Sequence, residues 1–527
     1  MATPVVNLLD FICILTASLV AIIAFQQKQL PTSRNYPPGP RGIPLLGNLL
    51  QLPSQYQWIT FSAWSKRYRS DIVHARVLGQ SIVVLNSFEA ASELLESRSS
   101  IYSDRPDNAM LQDVLDLGRW SVPFIPYGSL WRTLRQKFHV AFSAKTIQRY
   151  KPLQIELTGR LLKDLAEAPQ DYRRHINVHP GRIILRLVYG SESEADNNEY
   201  IHTVDENFRL LNEDYKWGNV WLVDVLPALK YLPSWLPGLS FHNTGKRFRS
   251  VIDDMVNKPF NRLKNIQKDA DLQVPPCLVS QELERLQETS LLPNDSKYTE
   301  EETLIKWFAA ASYPAAQDTT SSAIGSFILA MTLHPEYLKI AQEEIRALTQ
   351  DVRLPSFEDK AAGALPFIHC ICLEVIRWNP AVPAGVMHRV TEDDEYKGYH
   401  IPKGAWVIGN SWAILHDESV FPDPFRFDPT RYLRSEDGKP TFAETRVMGA
   451  AFGFGRRICP GRWFALETLW LTIAQFAAVF DVVRARDKDG KEIVPEPKFS
   501  HGLNSHAAPF ECRIVPRSPE ALKLLDD

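Results

Sequence analysis

The run Phe452 to Gly461, FGFGRRICPG, sets one cysteine among three glycines. Glycine lets the backbone bend closely around a buried group and leaves N–H groups free to point at sulfur. The helix-forming stretch Trp463-Phe464-Ala465-Leu466-Glu467-Thr468-Leu469 follows at once. Cys459 is therefore expected near a helix N-terminus, where the dipole lowers a thiol pKa. That is the setting of a thiolate ligand; a buried inert thiol is the bland alternative. The other cysteines, Cys13, Cys277, Cys370, Cys372 and Cys512, form no CxxC pair. They are expected to stay unpaired in a reducing compartment.

Three further groupings carry chemistry. Residues 314–321 read PAAQDTTS and place Asp318 beside Thr319 on a helical run. An acid next to an alcohol can move protons, although a helical threonine can also bond back to its own turn. Pro314 has no N–H and clashes with the carbonyl of Ala310, so a kink is expected there. Glu374 and Arg377 stand three apart on another helix and share a face. Trp131 and Arg135, four apart, do the same on the helix Gly128–Phe142.

Phe452, Gly455, Arg457, Cys459 and Gly461 fit F-x-x-G-x-R-x-C-x-G. Five fixed positions at average residue frequencies arise by chance in such a chain with a probability of about 10⁻⁴. On this motif, with E-x-x-R, Phe427-Asp428-Pro429-Thr430-Arg431-Tyr432 and W-x-x-x-R, the chain resembles the cytochrome P-450 superfamily of haem-thiolate monooxygenases. The resemblance implies a mostly α fold with a minor β-sheet region. It implies haem b held by the Cys459 thiolate, with Phe452 shielding the sulfur and Gly461 in the bend beneath it. Arg457, Trp131, Arg135 and His388 become haem contacts, His388 in preference to Arg389. Glu374, Arg377 and Arg431 become a buried structural network. Asp318 and Thr319 become the groups that deliver protons to iron-bound O₂. Ala316 departs from the family pattern, which has glycine there, and Pro314 is expected to supply the missing distortion. No glycine-rich phosphate loop follows a strand, so electrons from NADPH must arrive through a partner, NADPH-cytochrome P-450 reductase. Over its length the chain is most similar to fungal microsomal members of secondary metabolism, which implies a terpenoid or polyketide substrate. A haem-thiolate isomerase or dehydratase and a non-catalytic haem-binding protein are the alternatives.

These groups need a frame. Helical periodicity covers Gly128–Phe142, Glu300–Leu333, His334–Gln350 and Pro366–Trp378, and strand-like alternation covers Asp71–Leu85 and Tyr399–Ile408. Helices dominate, which agrees with a mostly α fold. Residues 5–25 form an apolar run about as long as a bilayer core requires, and Lys28 and Arg34 follow it. The expected order is a transmembrane anchor at 1–30, a proline-rich hinge at 31–48 and a catalytic domain at 49–527. The positive-inside bias makes this a single-pass membrane protein of the endoplasmic reticulum with the catalytic domain in the cytosol. Residues 217–239, rich in Trp, Pro and Leu, read either as core or as a surface dipping into the same membrane. A net charge of −3 gives no basic surplus and excludes a nucleic-acid binder. A lid at Asp107–Tyr127 (Trp120, Phe124, Tyr127), a helix stripe of Phe308, Ala311 and Ala315, and Val382, Val386 and Gly502-Leu503 are expected to line a pocket. Their apolar character implies a lipophilic small-molecule substrate.

Overall fold

The computed structural model describes residues 34–214, 221–236, 238–269, 271–433 and 441–526. The expected span at 5–25 lies outside the described residues, as does Cys13. Among the described residues no helix is long and apolar enough to cross a membrane.

The longer elements, in chain order, are α1 (Gln57–Tyr68), β1 (Ile72–Val77), β2 (Gln80–Leu85), α2 (Ser129–Phe142), α3 (Lys151–Glu167), α4 (Tyr172–Tyr189) and α5 (Glu194–Arg209). They continue with α6 (Phe241–Lys268), α7 (Leu278–Gln287), α8 (Ser296–Leu333), α9 (Pro335–Thr349) and α10 (Pro366–Trp378). Short strands follow: β3 (His388–Arg389), β4 (Asp394–Tyr396), β5 (Tyr399–Ile401) and β6 (Trp406–Gly409). The chain closes with α11 (Phe442–Ala451), α12 (Arg462–Val479), β7 (Phe480–Arg484) and β8 (Cys512–Pro516). The fold is mostly helical with small sheets, as the sequence pattern implies.

The run Asp71–Leu85 is two strands. Leu78 and Gly79 both take positive φ, at 50° and 92°, which reverses the chain in a tight turn. The run Tyr399–Ile408 also divides, because Pro402-Lys403-Gly404 turns the chain between two different sheets. The larger sheet has the order β1-β2-β6-β3, with β2 and β6 parallel. It brings His388 and Arg389, at the edge, within reach of residues far away in sequence.

The described part of the proline-rich stretch, residues 34–48, is not helical and is stitched to β1. His74 N–H donates to the Pro38 carbonyl at 3.0 Å, and Arg76 N–H to Asn48 Oδ1 at 2.7 Å.

α8 and α12 are buried along most of their length, and apolar residues surround both. A helix apolar on every side belongs in a core rather than on a surface. α2 is amphipathic instead: it buries Trp131, Leu134, Phe138 and Ala141 at helical spacing and exposes its basic face. α8 runs unbroken as an α-helix through Pro314 and Ala316. The expected distortion is therefore not an interruption. Ser312, Tyr313 and Pro314 are all buried, and their packing carries the helix past the missing donor.

Residues 217–239 divide between the two readings. Val223, Leu229 and Leu239 are core, whereas Tyr231 and Trp235 are 80% and 78% exposed. The stretch 215–220 and residue 237 lie outside the described residues.

Candidate active site

α8 and the loop before α12 form opposite walls of one cavity, which Cys459 lines from one side and Thr319 from the other. The cysteine loop is built by backbone geometry. Cys459 N–H donates to the Phe452 carbonyl at 2.8 Å, closing the loop on itself. Gly455 sits at φ +54°, and an added Cβ would lie 2.3 Å from the Leu95 carbonyl oxygen. Only glycine fits this approach. Gly461 caps α12, which begins at Arg462.

The thiol itself departs from expectation. Burial pushes the Cys459 pKa up, although the N–H groups of Gly461 and Arg462 and the charges of Arg135 and Arg462 pull it down. The helix end acts in the expected direction, but desolvation outweighs it. A bound metal would reverse the balance by displacing the proton.

Cations gather in the same cavity. Arg105, Arg135 and Arg457 line it, with the neutral imidazole of His388 beside them, and no carboxylate lines it among the described residues. Burial lowers Arg457 to about 9, with Asp104 opposing and Arg135 adding to the shift. Burial and the Arg457 charge push Arg105 well below its ordinary value. Burial also lowers Arg135. A buried cluster of one sign calls for an anion of the other.

Arg457 is fixed for this task. Its Nε donates to Ser103 O at 2.7 Å and an amino group to Ile125 O at 2.9 Å, and the guanidinium lies 4.4 Å from the Trp131 ring centroid. The imidazole of His388 donates from Nδ1 to Tyr102 O at 2.7 Å, and burial, then Arg105, keeps it neutral. Arg389 turns away from the cavity to Asp104 and Asp107, at 2.7 and 2.8 Å.

Glu374 and Arg377 are wholly buried and paired through two bonds of 2.7 and 2.8 Å. Arg377 also donates to the carbonyls of Leu415 and Pro424, at 3.0 and 2.8 Å. The third expected member sits at the rim. Arg431 Nε is 3.5 Å from Glu374, and its amino groups serve the carbonyls of Pro422 and Asp423. The close donors to Glu374 are instead Tyr432 Oη at 2.9 Å and Asp428 N–H at 2.8 Å.

The acid–alcohol pair is arranged differently from a direct handover. Thr319 faces the cavity, but its hydroxyl donates to Ala315 O at 2.8 Å. Asp318 points to the C-terminal loop, where Asn504 Nδ2 and His506 Nε2 donate to Oδ2, the latter at 3.1 Å.

Trp120, Phe124, Ala311, Ala315, Val382, Val386 and Leu503 line the distal side. Phe308 does not. Phe138 of α2 lines the cavity instead, with its ring 4.8 Å from Phe308. Tyr127 also stands outside, against Trp131 and the guanidinium of Arg456. Sequence reasoning missed Arg105, Asn504 and His506. Each joins its partners across hundreds of residues, and no local spacing marks it.

Comparison with known proteins agrees with this geometry. A sequence model of cytochrome P450 matches residues 37–510. The chain belongs to the cytochrome P450 family. It is 37% identical over 498 residues to the cytochrome P450 monooxygenase ple1 of Rhodocybe pseudopiperita, covering 94% of this chain and 92% of that one. It is 38% identical over 502 residues to a cytochrome P450 monooxygenase of Armillaria gallica, with 95% and 94% covered. Tryptamine 4-monooxygenase of Psilocybe cyanescens is 37% identical over 493 residues, with 92% and 94% covered. The P450 described here is thus an oxidoreductase of the haem-thiolate class. The residues present fit haem: a cysteine faces one wall, and arginines with no carboxylate beside them among the described lining residues would hold two propionates.

Proposed function

We propose that this P450 inserts one oxygen atom from O₂ into a lipophilic small molecule, a terpenoid or polyketide of fungal secondary metabolism. The observation that carries the reading is the single cavity shared by Cys459, the cation cluster and Thr319, with an apolar distal side. Cys459 Sγ is the iron ligand. Arg457, Arg135 and His388, with Arg105 added, hold the propionates, and Trp131 packs on Arg457. Phe452 keeps water from the sulfur, and Gly461 forms the bend beneath it. Glu374, Arg377 and Arg431 hold the supporting core.

When bound, the haem supplies the iron that activates dioxygen, and the thiolate favours O–O cleavage. The protein's part is positioning and protons. Thr319 Oγ1 presents a hydroxyl at the cavity wall, and Asp318 replenishes its proton. Electrons come from NADPH through NADPH-cytochrome P450 reductase. An isomerase or dehydratase would have no use for the acid–alcohol pair, and turnover that requires NADPH and reductase separates the readings. Thr319→Ala is expected to keep its haem and consume NADPH, but to form several-fold less product and to release peroxide in its place. Unchanged product per NADPH would remove Thr319 from the reaction.

The lining speaks to the substrate. With no carboxylate among the described residues of the cavity wall, the basic nitrogen of a tryptamine-like molecule finds no counter-ion there, and a neutral lipophile fits better. Turnover in a metabolite-producing host with co-expressed reductase, read by mass spectrometry, identifies it.

We assign residues 1–30 as a single-pass anchor in the endoplasmic reticulum, 31–48 as its proline-rich connection and 49–527 as the catalytic body facing the cytosol. The apolar run at 5–25 supports this, as do Tyr231 and Trp235, whose exposed rings suit a membrane interface. A body lacking residues 1–30 should still bind liposomes, and Tyr231→Ser with Trp235→Ser should weaken that binding. A truncated body that never sediments with liposomes contradicts the second contact.

A further inference from the structure

His506 is the least expected neighbour of the oxygen-side helix. It lies 188 residues from Asp318, yet its Nε2 is 3.1 Å from Asp318 Oδ2. The loop that carries it is firmly held. His506 N–H donates to Ser500 Oγ at 2.9 Å, Ser505 N–H to Ala381 O at 2.9 Å, and Ser322 on α8 donates to Ser505 O. Asn504 donates to the same Asp318 oxygen as His506.

A second carboxylate acts on the imidazole from another element. Asp205 on α5 is held by Asn177 on α4 at 3.0 Å and by Gln317 on α8 at 3.2 Å. Burial lifts Asp205 to about 6, against the pull of Asn177 and of the nearby His202 and His506. Burial pushes His506 down, but Asp318, then Asp205, more than offset this, and its pKa rises above 6.5. These two carboxylates are the charges that act on the ring, with His202 beyond Asp205. Although deeply set, the His506 side chain keeps 36% of its surface accessible to water, whereas Asp318 keeps 8%. The imidazole is therefore the wetter end of the pair.

We propose that His506 is the positioning residue that connects Asp318 to solvent, so that the ionisation of one imidazole governs the supply of protons toward Thr319. The inference rests on the relay role given above to Asp318 and Thr319. The step balances simply. The Nε2–H proton moves to Asp318 Oδ2, leaving a neutral imidazole and a carboxylic acid. A hydronium ion from solvent protonates the imidazole again and leaves water. The acid, freed from its ion pair, turns toward the cavity, gives its proton to Thr319 Oγ1 as that hydroxyl releases its own, and becomes a carboxylate again. Above its pKa the imidazole is neutral and no longer acts as the acid, so product formed per NADPH falls as pH rises through that value.

The test uses the full-length, haem-loaded protein with reductase in lipid nanodiscs. His506→Gln keeps an N–H donor for Asp318 but cannot titrate, whereas His506→Phe removes both. Product per NADPH in wild type, followed across pH 6–8.5, should decline as the pH rises above 6.5. His506→Gln should be flat and several-fold lower at the acid end. A structural role alone predicts that glutamine restores the wild-type profile, and that result would overturn the proposal. A second readout needs no turnover. In ¹³C-histidine-labelled protein in the reduced, carbon-monoxide form, the resonance lost in His506→Gln should titrate above pH 6.5. It should move down in Asp318→Asn, which removes the nearest negative charge. A midpoint at or below 6.5, or one indifferent to Asp318→Asn, also overturns the proposal. If His506→Gln yields no holoprotein, Asp205→Asn takes its place. It should lower both the midpoint and the coupling profile, and no movement counts against the role. Should Asp318→Asn and Thr319→Ala leave coupling intact, the relay reading itself falls. Should they uncouple while His506→Gln follows wild type at every pH, only the histidine's role falls.

Discussion

Replacing Cys459 with serine should abolish the red-shifted Soret band of the reduced, carbon-monoxide-bound protein and, with it, all monooxygenase turnover. Cys459 is the only cysteine among the described residues lining the cavity, and the other sulfur there, the Met255 thioether, has no proton to lose and cannot become a thiolate. A serine oxygen of similar size preserves the loop, because the loop is closed by the Cys459 N–H to Phe452 O bond and by Gly455 against Leu95, not by the side chain. The variant should therefore fold and retain haem through its propionate contacts while losing the thiolate spectrum. A serine variant with an unchanged band would mean that another residue holds the iron. Burial raises the Cys459 pKa in the protein, so haem insertion should release the thiol proton.

Glu374→Ala should leave little folded, haem-loaded protein. Arg377 is wholly buried and already spends donors on three backbone carbonyls, those of Leu415, Pro424 and Arg426. Without Glu374 its charge has no counter-ion, and Tyr432 Oη and Asp428 N–H lose their acceptor. Breaking one side of a buried ion pair costs about 3–5 kcal/mol, a large fraction of the stability of any domain. Arg431→Ala should cost less, because its closest approach to Glu374 is 3.5 Å and its donors serve loop carbonyls. Thermal unfolding of the purified proteins and their haem-to-protein ratio check both. Equal losses from the two substitutions would show that Arg431 is a full member of the network.

Much of this was legible in the chain. The cysteine loop, the Glu374–Arg377 pair and the Trp131 helix announce themselves because each is local: a few residues in one turn or one helix face. The helix boundaries at Pro366–Trp378 and near Ser129 followed from periodicity and from proline and glycine at the ends. What stayed hidden is long-range. Nothing near Arg105 marks it as a neighbour of Arg457, and Asp318 gives no hint that it turns toward residue 506. Thr319 looked like a simple partner of Asp318, but adjacent residues on a helix point about 100° apart. They cannot face the same side, and here they do not. The thiol shift was misjudged for a related reason: dipole and charge are visible in sequence, whereas the depth of burial is not.

The stitched loop at 500–506 has a practical consequence. Leu503 and Asn504 line the substrate side, and Asn504 and Ser505 are bonded to α8. An engineer who swaps this loop to admit a new substrate would disturb the oxygen-side helix in the same stroke, trading selectivity against efficiency. Val382 and Leu211 line the same cavity from other segments with side chains that carry no polar tie. Libraries aimed at those two positions should change which molecules are accepted while leaving the fuel economy of the enzyme alone.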